Sequence, residues 1–322
     1  MPGLEVLRFM AALCVLLLHQ RAVFGGHRYY GAGYLGVDFF LMLSGYLMAS
    51  HQEPKLADGR LRPLRFMAAR YRRLWPMMTA GALIGLPYLW HRTGGHWGAF
   101  TSQAAFELLL LPAIPLGAFL FPLNIPAWTI FFELAVNALH VTLLWRLRGW
   151  LAGAGLALLA VAVAWIGWRH GGLDMGALPR DFLRGAARIL LAYGLGIALA
   201  RRWRAHRPFP APWWLALPLM PVLLPLAWWL GLSGPAFDIA FVLIGCPLML
   251  AGGLRLHKWH GTAQWLGRIA FPLFALQMPI LEGAHWLGGP WWLATILALL
   301  AGVAGAILPA CWAKWRMRVP EM

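Results

Sequence analysis

Long apolar runs, separated by short polar and basic segments, dominate the hydrophobic pattern of this chain. Each run is close to the length that an α-helix needs to cross the hydrocarbon core of a bilayer. The pattern predicts an all-α, polytopic membrane protein that forms one transmembrane domain over residues 1–322, with no fused soluble domain. The ten predicted transmembrane helices are 4–22, 34–50, 76–92, 125–145, 150–168, 185–200, 213–230, 236–253, 265–284 and 291–312.

One further apolar stretch, 104–121, is not counted as a span. Pro112 and Pro115 lie inside it and Pro122 follows it, and prolines interrupt a helix. Counting it would also reverse the predicted side of every later loop. We interpret it as a re-entrant or outer-surface segment, whose backbone must be covered by protein if it enters the membrane.

Composition supports the membrane interpretation, and charge predicts the orientation. Apolar residues make up 61% of the chain and charged residues 12%, with a formal net charge of +16. Most Lys and Arg residues lie in the loops that face one side if both termini are cytoplasmic, which is the bias expected of inner loops. The basicity therefore indicates topology and contact with membrane lipid, and no nucleic-acid partner is expected.

Two ionisable residues, Arg8 and His19, lie in the first predicted span. Their separation corresponds to about 16 Å of helix and about three turns, so both side chains lie on one face at different depths. Ionisable groups inside a membrane are costly and commonly mark a transport path or a reaction site. This pair is the first indication of function.

Two carboxylates are predicted near the depth of His19. Asp38 lies about one turn inside the outer end of the second span, and Glu133 about two turns below the outer end of the fourth. Asp38 could orient His19 and raise its basicity for general-base catalysis, or it could cap a helix. Glu133 could bind a substrate hydroxyl, complete a proton relay or pair with a buried arginine.

A basic loop precedes the third span and ends in the sequence RYRRLWP, which contains Arg70 and Arg73. These two arginines are one helical turn apart, and paired guanidinium groups bind phosphate bidentately. Nearby aromatic rings could cover a purine. For the loop as a whole, the alternative is that it orients the protein and binds anionic lipid. The three cysteines are far apart in apolar runs and predict neither a disulfide framework nor a metal site.

Four motifs occur in one order within the first 133 residues. They are Leu7-Arg8-x10-His19; Gly36-Val-Asp38-Phe-Phe with Leu43-Ser44-Gly-Tyr46; Arg70-x-x-Arg73-x-x-Pro76; and Pro126-x-Trp128-x4-Glu133. In this order and spacing the chain resembles the acyltransferase-3 family. Members are integral membrane O-acyltransferases that modify O-antigens, exopolysaccharides, peptidoglycan and some small molecules.

A later segment, Trp265 to Pro279, is similar to the family's L-G-x-x-S-Y-x-x-Y-L-x-H-x-P segment but departs from it twice. Ala270-Phe271 replaces Ser-Tyr, and Gln277 stands where many members have histidine. Glutamine can exchange hydrogen bonds but cannot take a proton near neutral pH. Gln277 is therefore expected to bind or position substrate, together with Trp128 and Ser44, rather than to catalyse.

The resemblance implies a mechanism. Acetyl-CoA, or another acyl-CoA, would bind from the cytoplasm as co-substrate with its phosphates on Arg70 and Arg73, and its pantetheine arm would pass Arg8. His19 would act as general base towards an acceptor hydroxyl or would itself be acylated, with Asp38 orienting the imidazole and Glu133 positioning the acceptor. The expected acceptor is a cell-surface or exported polysaccharide, or its lipid-linked precursor, at a bacterial inner membrane.

Two other functional classes remain open at this point. A proton-coupled or ion-coupled transporter would also bury Arg, His, Asp and Glu side chains, although such transporters usually show repeated halves with broken helices. A nonenzymatic partner in glycan export would keep the same topology. The sequence also leaves open whether the chain forms a homo-oligomer or works with export partners.

Overall fold

The regular structure of the described part of the chain is helical. In this computed structural model the backbone is described for residues 1–25, 31–114 and 119–316, and the side chains as far as residue 308. Two π-helical turns, His140–Leu144 and Phe241–Gly245, and one 3-10 turn, Pro179–Asp181, accompany the α-helices. The helices are α1 (Pro2–Phe24), α2 (Leu35–His51), α3 (Glu53–Ala57), α4 (Pro63–Arg92), α5 (Trp97–Leu108), α6 (Ala127–Leu139), α7 (Gly149–His170), α8 (Phe182–Ala205), α9 (Trp213–Trp229), α10 (Pro235–Ala240), α11 (Cys246–Arg255), α12 (His260–Trp286) and α13 (Trp291–Arg316).

Each of the ten predicted spans coincides with a helix or with a continuous helical segment of this set. The all-helical class is confirmed. Six helical segments of the described chain are long and apolar enough to cross a membrane, and α9 is a shorter apolar helix. The number of ten crossings and the cytoplasmic position of both termini stay predictions.

The basic loop differs from its predicted form because much of it is helical. α4 begins at Pro63 and runs for 30 residues through Pro76 and Pro87. Arg70 and Arg73 therefore lie on the same continuous helix as the third predicted span. A proline at the start of a helix costs no backbone hydrogen bond, which favours a start at Pro63.

The apolar stretch 104–121 contains no membrane-length helix within its described residues. α5 has 12 residues and ends at Leu108. Beyond it, the Ala113 N–H donates to the Leu120 carbonyl at 2.8 Å, and the Leu120 N–H donates to the Ala177 carbonyl at 3.0 Å. Residues 115–118 lie outside the described residues. The re-entrant or outer-surface interpretation of this stretch stays a prediction.

α2 and α8 pack side by side, and two glycines permit the close approach. A Cβ atom at Gly45 would lie 2.1 Å from the Tyr193 carbonyl oxygen, and one at Gly196 would lie 2.0 Å from the Met42 carbonyl oxygen. Small residues let helix backbones approach closely in membrane proteins. This packing fixes the rotation of α2, and so decides which cavity Ser44 faces.

Candidate functional site

An inner cavity of about 720 Å³ lies among α1, α2, α4, α6, α12 and α13. It is called inner because it adjoins the basic part of α4 that charge bias predicts to be cytoplasmic. Its lining combines apolar side chains with a cluster of positive charge. The polar and charged residues of the lining are Arg8, Ser44, His51, Gln52, Arg70, Arg73, Thr129, Glu133 and Arg268.

One wall of the inner cavity is held by a network of Arg70, Glu133 and Ser44. Arg70 forms a short ion pair with Glu133, and both side chains are about one-fifth exposed. The Ser44 hydroxyl donates to Glu133 Oε1 at 2.9 Å and accepts from Arg70 Nη2 at 3.2 Å. The network fixes one guanidinium group at the cavity wall without a neighbouring water being required.

The other cations of the inner cavity are less fully compensated. Arg8 pairs with Glu5, one turn earlier on α1, at 3.0 Å. Arg73 lies in the part of α4 that precedes the predicted span. Burial lowers the pKa of Arg73, and the like charges of Arg70 and Arg8 lower it further. A bound polyanion would relieve this repulsion, so the cluster is suited to phosphate groups.

An outer cavity of about 580 Å³ lies towards the opposite ends of α1, α6 and α12. It contains His19, whose Nδ1 atom is buried and has no hydrogen-bond partner among the described residues. Its described lining includes no Lys or Arg. The polar and aromatic residues of the lining are His19, Tyr34, Tyr88, Phe119, Trp128, Thr129, Asp174, Asp181, Phe274, Glu282 and His285.

The two cavities are neighbours. Val37, Thr129 and Phe274 line both of them, so a partition about one side chain thick separates the inner space from the outer one. Phe274 is 5% exposed and packs edge-on against Phe40, with ring centroids 5.8 Å apart. A chemical group could be transferred across such a thin partition from a ligand in the inner cavity to a ligand in the outer cavity.

Comparison with known proteins identifies the family of the chain. A family model described as "Acyltransferase domain" matches residues 1–315. The chain belongs to the acyltransferase-3 family. A protein of Rhizobium radiobacter described as "Protein 2 in picA locus" is 33% identical over 176 residues, which cover 50% of this chain and 90% of that protein. No solved structure matches the chain. Membership supports an acyltransferase embedded in a membrane.

The family motifs converge on the two cavities only in part. Arg8, Arg70 and Arg73 line the inner cavity together, in agreement with their expected grouping, and His19 and Trp128 line the outer one. The ring of Trp128 packs against Gly176, where a Cβ atom would lie 2.5 Å from the ring. The functional roles of these residues stay predictions.

The expected contact between Asp38 and His19 is wrong. Asp38 is fully buried and accepts three hydrogen bonds from Arg188, at 3.0 Å from Nε to Oδ1, 3.2 Å from Nε to Oδ2 and 2.5 Å from Nη2 to Oδ2. Arg188 also donates to the carbonyl oxygens of Tyr34 and Met175. Asp38 therefore links α2 to α8. A buried carboxylate needs a cationic partner, and Arg188 on the neighbouring helix is that partner.

Glu133 also differs from its predicted position, and Ser44 lies beside it. Glu133 was expected beside the acceptor at the depth of His19, but it faces the inner cavity and pairs with Arg70. Ser44, which was expected to bind substrate, lines the same cavity, and its hydroxyl bonds to both side chains. The contact of Glu133 with Arg70 is the arginine-pairing alternative stated for Glu133, and the substrate role of Ser44 stays a prediction.

Gln277 is not among the residues that line either cavity. It is fully buried, and neither polar atom of its amide has a hydrogen-bond partner in the described part of the chain. Direct contact between Gln277 and substrate therefore finds no support in this conformation.

A buried chain of polar residues links α3, α6 and α8 on the inner side. The Tyr193 hydroxyl donates to Asn137 Oδ1 at 2.9 Å and lies 3.0 Å from His140 Nδ1, and His140 Nε2 lies 3.3 Å from Glu53 Oε1. Glu53 in turn pairs with Arg201 at 2.6 Å. His140 begins the π-helical turn that follows the Glu133 helix, and it belongs to this packing network and not to either cavity.

Several charged residues of the cavities and of the surrounding framework were missed from the sequence, among them Arg188, Arg268 and Glu282. Arg188 and Arg268 lie inside predicted apolar spans. Because a charged side chain is energetically costly there, their position alone could have identified them as candidates. Glu282 was a carboxylate near the end of the ninth span, in a segment matched to the family only as far as Pro279. Within the described residues, no group of three or more His, Cys, Asp or Glu side chains could hold a metal ion.

Proposed function

We propose that the chain transfers an acyl group, with acetyl as the first candidate, from acyl-CoA at the inner cavity to an acceptor hydroxyl at the outer cavity. The observation that carries the proposal is the pair of neighbouring cavities that share Val37, Thr129 and Phe274. One cavity has arginines suited to a phosphorylated donor, and the other has an imidazole suited to proton transfer.

The donor would be held by its phosphates. The described lining of the inner cavity has one carboxylate, that of Glu133, and four guanidinium groups, those of Arg8, Arg70, Arg73 and Arg268. Glu133 already pairs with Arg70 and fixes its direction. The acyl end of the donor would then point along α1 towards the partition, because Arg8 and His19 lie about 16 Å apart along that helix.

The transfer step would use His19 as general base. Its imidazole nitrogen takes the proton of the acceptor hydroxyl while the hydroxyl oxygen attacks the thioester carbonyl carbon. The carbon–sulfur bond breaks, the CoA thiolate leaves, and the proton held by His19 goes to that sulfur. In the alternative order His19 is acylated first and the acceptor then displaces it.

The acceptor would be a cell-surface or exported glycan, or its lipid-linked precursor, at a bacterial inner membrane. Supporting this choice, Trp128, Tyr34 and Tyr88 line the outer cavity, and aromatic faces bind the apolar faces of sugar rings. Association with an export complex or with a second copy of the chain belongs to the same proposal and is tested separately by crosslinking.

The first experiment measures transfer from labelled acetyl-CoA in membranes that contain the wild-type chain, His19→Ala or Arg73→Ala at equal expression. We expect label in a glycan fraction with the wild-type chain and none with His19→Ala. Arg73→Ala should transfer less label, and a high concentration of acetyl-CoA should restore much of that transfer. Label that is unaffected by His19→Ala would overturn the mechanism.

A transporter is the second candidate, because two cavities separated by a thin partition also suit alternating access. The same membranes discriminate the two functions. An acyltransferase releases free CoA in proportion to label transferred, whereas a transporter moves an ion or solute and consumes no acetyl-CoA. Absence of CoA release with every glycan tested would favour the transporter.

A further inference from the structure

The outer cavity contains a carboxyl group that the proposed transfer step does not use. Glu282 lies on α12, is 8% exposed and lines the cavity. It makes no hydrogen bond or ion pair with any described residue. A buried carboxyl group without a partner is costly, so an unpaired one that faces a cavity suggests a ligand.

The charges around Glu282 leave it available. Asp181, another acid of the lining, is held by Arg184 at 3.0 Å and by Arg180 at 3.9 Å. Arg92 interacts with Glu282 only at longer range. Its guanidinium group lies over the Tyr88 ring, 5.6 Å from the centroid, and donates to the Pro122 carbonyl at 3.4 Å.

The remaining acid, Asp174, lies on the loop between α7 and α8 and also lines the cavity. The described lining offers no Lys or Arg that could neutralise an anionic ligand. A ligand with a carboxylate, phosphate or sulfate would therefore be buried beside carboxyl groups without a lining cation to pair with, which is costly in a partly dehydrated space.

We propose that Glu282 binds the acceptor, and that the outer cavity takes a sugar unit that is neutral or carries an amine and rejects an anionic one. This inference rests on the proposed function, since it names the substrate class of that site. Glu282 accepts a hydrogen bond from a second hydroxyl or from an ammonium group of the acceptor, while His19 faces the reacting hydroxyl.

The test uses matched methyl glycosides in the gluco, galacto and manno series. Each series provides a neutral sugar, its 2-amino analogue and its uronate, which differ mainly in charge. Binding to the purified full-length chain in detergent is measured by saturation-transfer NMR, without any need for turnover. We expect the uronate to bind at least about tenfold more weakly than the neutral and amino sugars in the preferred series.

Variants assign the selectivity to Glu282. Glu282→Ala should weaken the binding of the amino and neutral sugars. Glu282→Lys should reverse the binding preference, so that the uronate binds more tightly than the other two. Glu53→Gln is the matched control, because Glu53 is fully buried but lines neither cavity and pairs with Arg201. If Glu282→Lys fails to fold, Glu282→Gln serves instead and should remove the advantage of the amino sugar over the neutral one.

A parallel titration with acetyl-CoA separates the two proposals. If the wild-type chain binds acetyl-CoA but holds uronate as tightly as the neutral sugar, the inference fails and the proposed function stands. If acetyl-CoA does not bind, the proposed function fails while the sugar preference is still measured. Equal sugar binding by Glu282→Ala and wild type, or no binding of any glycoside, would also overturn the inference.

Discussion

The inner and outer cavities share three side chains and differ in charge. Among described residues, the inner cavity is lined by four arginines and one carboxylate, Glu133, which pairs with Arg70. The described lining of the outer cavity has three carboxyl groups and two histidines and includes no Lys or Arg. A molecule with several phosphates is therefore matched to one cavity and opposed by the other.

The difference in charge between the two cavities limits which part of a donor could cross the partition. In the proposed function, a donor held by phosphates on the inner side would not follow its acyl group outwards, because the described lining of the outer cavity offers no Lys or Arg to replace the phosphate contacts. Only the uncharged acyl end would cross the partition. Charge would thus retain CoA on the inner side without any large movement of helices.

The largest effect is expected at His19, the basic group of the outer cavity. Because His19→Ala removes the proposed general base, it should lower the turnover rate by about 10²–10⁴-fold. It should leave the affinity for acetyl-CoA unchanged, since the donor phosphates are proposed to bind in the other cavity. Turnover is followed by CoA release and affinity by equilibrium titration. A loss of affinity that matches the loss of turnover would contradict the division between the cavities.

Arg70→Ala tests the inner cavity and should weaken acetyl-CoA binding by about 10²-fold. It removes a phosphate ligand and also leaves Glu133 as an uncompensated carboxylate. The double variant Arg70→Ala with Glu133→Gln should therefore bind better than Arg70→Ala alone. Arg72→Ala is the control, because Arg72 lies on the same helix but does not line the cavity. Equal weakening by Arg72→Ala would reduce the effect to general surface charge.

Asp38→Asn tests whether this residue belongs to the outer site or to the framework. Loss of the buried pair with Arg188 should destabilise the chain by about 3–5 kcal/mol, seen as a lower melting temperature in detergent. The fraction that remains folded should keep the wild-type pH profile of turnover, because Asp38 does not contact His19. Asp38→Leu with Arg188→Met should recover part of the stability. A shifted pH profile would return Asp38 to the catalytic group.

The fold was accessible from the sequence because hydrophobic length and periodicity report directly on helices in a membrane protein. The start of α4 was missed, since its first part is polar and basic and resembles a loop in hydropathy. The helix continues through Pro76 all the same. Proline within a membrane helix is tolerated where neighbouring groups satisfy the freed carbonyl.

The sequence predicted the depth of the site residues in the membrane but not the direction in which each side chain points. Position along a span places Asp38, Glu133 and His19 at similar levels, yet each side chain points according to helix packing. Asp38 takes a partner 150 residues away, and Glu133 one that is 63 residues away. Arg8, Arg70 and Arg73 were grouped correctly because the basic stretch and the inner end of α1 meet at the same membrane face.

The partition between the cavities gives the smallest expected effect and the sharpest test of their connection. Phe274 lines both cavities, whereas Phe271, one turn earlier on α12, lines only the inner one. Phe274→Ala should raise transfer from butyryl-CoA relative to acetyl-CoA by about threefold to tenfold, because it removes the ring that restricts the acyl group at the crossing point. Phe271→Ala should leave that ratio near its wild-type value. The two rates are compared at saturating donor, so that changes in binding do not enter. If both variants alter the ratio equally, the acyl group is limited within the inner cavity and does not cross at Phe274.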